Sequence, residues 1–279
     1  MLSTASNSRR RHRLIIPLAA CVATLGGLPA AAQEMAPHRA AYDVGLLDHG
    51  KRGEKSVGTY AYELKATCDS YIIYQRLRLE IDGGRATVVT EQQSQMTESR
   101  DGRKLEFEHR SIVGGKQSSL VKGEATLDDD GPGQSRFSEP AGQSIALPAG
   151  TQFPIAITRA TVQHAKAGDG SFDALFFYGE KVKPPQAVNV LMGKVPKRLA
   201  DLALPKNAGA LIDGHARIYY RAGFFDAEAK AKGEQAAFEV SSLMLDNGVE
   251  LYGTHEEGDG GGIEYRVTKL ESLPRPHCN

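Results

Sequence analysis

The sequence lacks a membrane-spanning run. Its most apolar stretch, Leu14 to Leu28, is fifteen residues broken by Pro17 and Gly26-Gly27, whereas a helix needs about 20 apolar residues to cross a bilayer. Net charge is absent too, with 34 basic and 34 acidic residues. No dense Lys/Arg run follows the first thirteen residues, which argues against nucleic acid as a partner. Cysteine is scarce: Cys21, Cys68 and Cys278 are the three in 279 residues. Their spacing contains no C-x-x-C, so the usual redox motif is missing. No repeat of fixed length and no shift in composition marks an internal domain boundary.

Catalytic signatures are equally thin. His255-Glu256-Glu257 lacks the second histidine of H-E-x-x-H and falls in a strand-like stretch, so it does not place two imidazoles on one helix face. Asp128-Asp129-Asp130-Gly131 opens like a calcium loop without the spacing or closing glutamate of an EF-hand, and reads as a solvated turn. No G-x-S-x-G is present, and the glycine run at 258–262 joins two strands instead of opening a helix that would cradle phosphate. The histidines from His38 through His277 are scattered singly. The expectation is a chain without a catalytic set, a metal site or a cofactor.

What is present begins with Arg9, Arg10, Arg11 and Arg13, then the short apolar stretch, then Ala30-Ala31-Ala32. That order is a secretory signal over residues 1–32, cleaved before Gln33 and leaving one exported domain over 33–279. A rival route is open: Leu18-Ala19-Ala20-Cys21 matches a lipobox, which would anchor the protein through a lipid on Cys21. Loss of the four arginines leaves 30 basic against 34 acidic residues, a net charge of −4. It also leaves two cysteines, 210 positions apart, and in an oxidising compartment an even pair reads as a disulfide. Pro274 and Pro276 would stiffen the strap that carries Cys278 back to Cys68. The rival reading is a reactive thiol, against which Asp69 beside Cys68 discourages a thiolate.

Past residue 38 the pattern is period two. Arg39–Leu47, Ser56–Lys65 and Tyr71–Ile81 alternate apolar and polar residues as half-buried antiparallel strands do. Asp82-Gly83-Gly84, Asp101-Gly102, Gly114-Gly115, Asp246-Asn247-Gly248 and the 258–262 glycines punctuate them as hairpins. One helix is predicted, in GTQFPIAITRATVQHAKAG. It is capped by Thr151 or Gln152, has Pro154 in its first turn and stops at Gly168, with Phe153, Ile157, Ala160 or Thr161, and His164 on one face. SFDALFFYGEKV and ALIDGHARIYYRAGFF read as strands, and residues 184–209 as a Pro-punctuated stretch of open structure. The class is therefore all-β with one central helix: a long curved antiparallel sheet of a dozen or so strands. The doublets Phe176-Phe177 and Tyr219-Tyr220 send one ring to each face. Phe176, Tyr178, Tyr219 and Phe224 are the candidates for an apolar cleft in that sheet, the alternative being ordinary packing.

Several landmarks resemble one family. APHRAAYDVGL (Ala36–Leu46), Thr67-Cys68-Asp69 before a basic-hydrophobic strand, FPIAITR leading into ALFFYGEK, and the closing Cys278 are similar to the EipB-type cell-envelope integrity proteins of Gram-negative bacteria. The likeness runs from about Ala36 to Cys278, and departs at Ser70, where the family commonly has glycine. It implies a β-spiral or half-open barrel with a helix inside, like the lipoprotein carriers LolA and LolB. It also implies a disulfide on the residues matching Cys68 and Cys278, and a non-enzymatic role in keeping the envelope intact under stress. The partner would be a periplasmic protein, or a lipid or acylated peptide carried in the concave face.

Overall fold

The structure, a computed structural model, describes residues 34–48, 51–82, 86–129, 131–206, 208–226, 233, 235–258 and 260–278. The export signal, Cys21 and the Gly83-Gly84 turn lie outside the described residues. Among the described residues no helix is long and apolar enough to cross a membrane.

A single sheet of 15 strands organises the unit from Gln33 to Asn279. On one side of β1 (His38–Asp48) lie β2 (Lys51–Ala66), β3 (Ser70–Asp82), β4 (Thr87–Ser99), β5 (Lys104–Val113), β6 (Lys116–Leu127), β7 (Gly133–Glu139) and β8 (Gln143–Leu147). On its other side come β15 (Gly261–Ser272), β14 (Glu250–Glu257), β13 (Phe238–Leu245), β12 (Arg217–Phe225), β11 (Gln186–Gly193), β10 (Ser171–Phe176) and β9 (Thr151–Gln152). The register is antiparallel throughout except for the two-residue pairing of β9 with β10. Hairpin chemistry sets it: Gly114 and Gly115 both have positive φ, 57° and 77°, as the tight turn joining Val113 to Lys116 demands.

The two edges of the sheet, β8 and β9, are consecutive in the chain and separated by residues 148–150. That connector reaches roughly 14 Å at full stretch, so the first and last strands lie beside one another and the ribbon is rolled into a nearly closed barrel.

The predicted helix is α1 (Pro154–Ala167), ended by Gly168 at φ 79°, the left-handed stop that glycine supplies without a Cβ penalty. Its start differs from expectation. Thr151 and Gln152 form β9 and do not cap it, and Phe153 at the cap position makes no side-chain cap bond. Its burial differs as well. Ile157 packs with Val188 and Val190 of β11, but Ile155 and Val162, on the opposite side of the helix, pack against Leu64, Tyr71, Ile73 and Met96 and against Ile218 and Met244. Two covered sides are what a helix wedged inside the roll requires, where a helix lying on a flat sheet would bury one.

The stretch after β10 also departs from the sequence reading. The strand expected through SFDALFFYGEKV stops at Phe176, residues 186–193 are β11, and the strand expected from Ala210 begins only at Arg217. Between them, α2 (Lys197–Ala200) and α3 (Gly209–Ile212) lay Leu199 and Leu211 on Leu243, Leu245, Tyr252 and Val267. Met244, the neighbour of both leucines in β13, faces α1; the pair α2 and α3 therefore covers the outer face of that half of the sheet.

Candidate functional site: a tyrosine-lined lumen

Inside the roll, beside α1, a cavity of about 160 Å³ is lined by Tyr42, Tyr60, Tyr62, Tyr220, His38 and Glu250 among others. A wider cavity of about 440 Å³ shares Tyr60 and Gln75 with it and opens between Leu46, Leu77, Leu79, Ile81, Val240 and Ile263. The Tyr178 hydroxyl donates to Gln75 Oε1 where the two meet. Arg110, Glu180, His255 and Glu257 also reach the wider cavity, whose lining is nonetheless mainly apolar, so a mainly apolar mouth leads to a polar inner end.

Period-two alternation places these side chains. Tyr60 and Tyr62 are two apart on β2, and Tyr42 pairs directly with Tyr60 across β1 and β2. Rings of Tyr42, Tyr60 and Tyr265 meet one another at 5.2 to 5.6 Å between centroids, the stacked and edge-on spacings that aromatic quadrupoles favour. Tyr265 reaches the group because Gly253 pairs with it across β14 and β15; a Cβ at Gly253 would run into the Tyr265 ring.

Glu250 stands in the middle. Ser242 Oγ donates to its Oε1 at 2.6 Å, and the Tyr42 hydroxyl donates to its backbone carbonyl at 3.0 Å. Burial pushes its carboxyl up to about 7, against the pull of hydrogen bonds from Ser242 and Tyr265. Burial first, and then the Glu250 charge, raises the phenols of Tyr42, Tyr62 and Tyr220. Tyr60 and Tyr265 are raised by burial and feel the same charge. Burial lowers His38. Between 4.5 and about 7 the folded chain keeps a proton on Glu250 that the unfolded chain has released, so stability falls as pH climbs through that window. Glu250→Gln is expected to raise the melting temperature at pH 8 by the equivalent of no more than about 3 kcal/mol and to change it little at pH 4.5. Thermal melts of both proteins at the two pH values check this; an equal shift at both would remove it.

A second buried carboxylate supplies the missing helix cap. Glu98 of β4 accepts the Ile155 N–H at 2.6 Å on Oε2 and the Ala156 N–H at 2.9 Å on Oε1. Arg159 donates to the Arg100 carbonyl at 2.7 Å, and the Arg100 guanidinium lies 4.1 Å over the Tyr71 ring while bonding Glu34 at 2.8 Å. Burial pushes Glu98 up to about 7, opposed by the two amides and Arg159. This set closes the end of the roll near Cys68, since Arg100 also donates to the Thr67 carbonyl at 2.7 Å.

Cys68 and Cys278 form a disulfide, with Cα atoms 5.6 Å apart, at that end and outside the lumen. Of the aromatic candidates, Tyr178 lines the lumen. Phe176 is 6.0 Å from Tyr178 and 5.7 Å from Phe224, which stacks on Phe238 at 4.4 Å, and Phe238 stacks on His255 at 4.6 Å. Those rings form a row beside the mouth. Tyr219 is a correction: it packs with Leu199 and Val195 on the outer face, because it pairs with outward-facing Leu243 while Tyr220 pairs with Ser242. Sequence reasoning missed Tyr42, Tyr265, His38, Glu250 and Glu98.

The outer face carries a concavity of about 640 Å³ between Arg39, Glu63, Tyr74, Arg76, Glu108 and Lys269. Among the described residues no group of three or more His, Cys, Asp or Glu could hold a metal ion.

This architecture has relatives. A crystal structure of a beta-barrel-like protein of a domain of unknown function from Brucella abortus superposes with a TM-score of 0.73 at 24% identity, covering 87% of this chain and 100% of that one; it shares the fold. The cell envelope integrity protein EipB of Brucella abortus (strain 2308) is 30% identical over 173 residues, which are 59% of this chain and 60% of that protein. The match thus spans less than two thirds of the relative's length. The sequence profile of the EipB-like family matches residues 29–254. With that profile running from ahead of β1 into β14, the chain belongs to the EipB-like family.

Proposed function

We infer that this is an exported, non-enzymatic protein that supports cell-envelope integrity by holding an amphiphilic envelope component in its lumen. The observation that carries the reading is the lumen itself: an apolar mouth of about 440 Å³ continuing into a polar inner cavity, the form a site takes when one end of its ligand is apolar and the other is to be oriented. The relative's name, cell envelope integrity protein, supplies the setting. Periplasmic residence rests on the export signal read in residues 1–32.

A deletion strain is expected to become sensitive to detergent and to β-lactams, and the wild-type gene to restore resistance. Lipid extraction and native mass spectrometry of the purified protein are expected to yield a bound amphiphile. Unchanged sensitivity would remove the physiological role, and a reproducibly empty protein would remove the lumen from it. A second reading, docking of a protein partner, is favoured by the charged outer concavity. Arg76→Glu separates the two. If the outer face acts, this variant loses complementation while keeping its extracted ligand; if the lumen alone acts, it keeps both.

A further inference from the structure

The inner cavity holds a carboxylate with no cation beside it among the described residues. Glu250 accepts from Ser242 and Tyr265, and no described Lys or Arg lines the cavity around it. A buried acid without a counter-charge is costly unless something else supplies one.

A second acceptor waits in the same cavity. His38 is 1% exposed, and its Nδ1 lies 2.7 Å from the Ala36 carbonyl. A carbonyl only accepts, so Nδ1 carries the hydrogen and Nε2 presents a lone pair. That Nε2 is buried with no hydrogen-bond partner among the described residues. Burial keeps the imidazole neutral by lowering its pKa, so Nε2 stays an acceptor at neutral pH.

Around both stand tyrosine rings. Tyr42, Tyr60 and Tyr62 line the cavity with them, and Tyr62 lies 5.3 Å from the His38 ring. Tyrosine faces attract cations, more strongly where water is excluded. The requirements converge on one chemistry: positive charge, to answer Glu250 and the rings, and at least one N–H, to answer His38. A quaternary ammonium meets the first alone and a hydroxyl the second alone. The mouth adds a further requirement, since Leu46 and Ile81, each 37% exposed, flank it with Leu77, Leu79 and Ile263.

We propose that the lumen binds an amphiphile headed by a primary ammonium, its N–H groups donating to Glu250 and His38 Nε2 among the tyrosine rings and its hydrocarbon chain lying in the apolar mouth. This rests on the reading of the lumen as a ligand site and names the head group that site selects. The head could belong to a lipid or to a free alkylamine; the two share the ammonium and differ in the group that joins it to the hydrocarbon chain.

Titration calorimetry on the cleaved, disulfide-bonded protein tests it, with four probes below their micellar concentrations: dodecylammonium, dodecyltrimethylammonium, dodecyl maltoside and lysophosphatidylethanolamine. Dodecylammonium is expected to bind at least tenfold more tightly than the trimethylammonium and maltoside probes. Glu250→Gln is expected to reduce that affinity at least tenfold while leaving the maltoside probe unaffected. Because the same substitution is expected to stabilise the fold at pH 8, lost binding there is separable from lost structure by a melt. His38→Phe is expected to erase the preference for the primary over the quaternary head. Lysophosphatidylethanolamine binding as tightly as dodecylammonium assigns the lipid source, and weaker binding assigns the free amine. Equal affinity for all heads would overturn the ammonium site and leave the lumen reading intact. Binding of none of the four would overturn both.

Discussion

Replacing both Cys68 and Cys278 by serine is expected to lower the melting temperature by about 10 °C. The bond closes a loop of 210 sequence positions, and the chain-entropy model assigns roughly 5 kcal/mol to a loop of that length, of which measured cases usually show 2 to 5. For a domain of this size each kcal/mol corresponds to about 2–4 °C. Little native structure should be lost with it. The turn holding Cys68 is fixed independently: Thr67 Oγ1 accepts the Ser70 N–H at 2.9 Å, and Arg100 grips the Thr67 carbonyl. The strap is anchored at its start by the Leu273 N–H donating to the Pro37 carbonyl at 3.0 Å. The effect therefore lives in the unfolded chain, which a cross-link of this span keeps compact. Two readouts check this. The wild type in reductant should melt with the double variant, because both half-cystines are exposed, and the denaturant m-value should rise when the link is absent, as more surface is uncovered on unfolding. Oxidised and reduced protein melting within about 2 °C of each other would show that the tether contributes little beyond the pairing of β1 with β15.

Which parts of this architecture were legible in the sequence depends on how many faces of each strand meet a neighbour. β3 shows its alternation because its outer residues, Arg76 and Arg78, meet solvent while Tyr71 and Ile73 meet the core. In β7, GQSRFSE, Ser135 and Phe137 are the buried residues, so one apolar side chain carried the whole signal and neither β7 nor β8 was read. β12 fails differently. Alternation correctly separates Tyr219 from Tyr220, but both faces are covered, one by α2 and its flanks and one by the lumen, so parity could not say which ring faces inward. Glu98 was within reach: it lies two residues from buried Met96 on β4 and so shares its inward face. Read alone, an acid there looks like surface; read by parity, it is a charge pointed at the core. Glu250 was not within reach, because a bulge between Leu243 and Met244 breaks the register beside it.

Glu98→Ala is expected to cost about 4 kcal/mol, since it leaves two buried helix N–H groups, those of Ile155 and Ala156, without an acceptor and opens a void beside them. Glu98→Gln should cost about half as much: its amide oxygen still accepts one N–H, while its NH₂ group faces the other, donor against donor. The loss should begin at one place. Amide exchange is expected to accelerate first at Ile155 and Ala156 and then along α1, whose N-terminus has no side-chain cap of its own. The pH dependence identifies which force sets the carboxyl. Burial, the largest influence, pushes it from 4.5 up to about 7, so the folded chain holds a proton there that the unfolded chain has lost across that interval, and the wild-type contribution from Glu98 declines as pH rises. The gap between wild type and Glu98→Ala should accordingly be widest near pH 5 and narrow toward pH 8. A gap that widens instead would mean that the paired amides, the helix dipole and Arg159 outweigh desolvation, and that the end of the roll is closed by an anion fixed at a helix N-terminus.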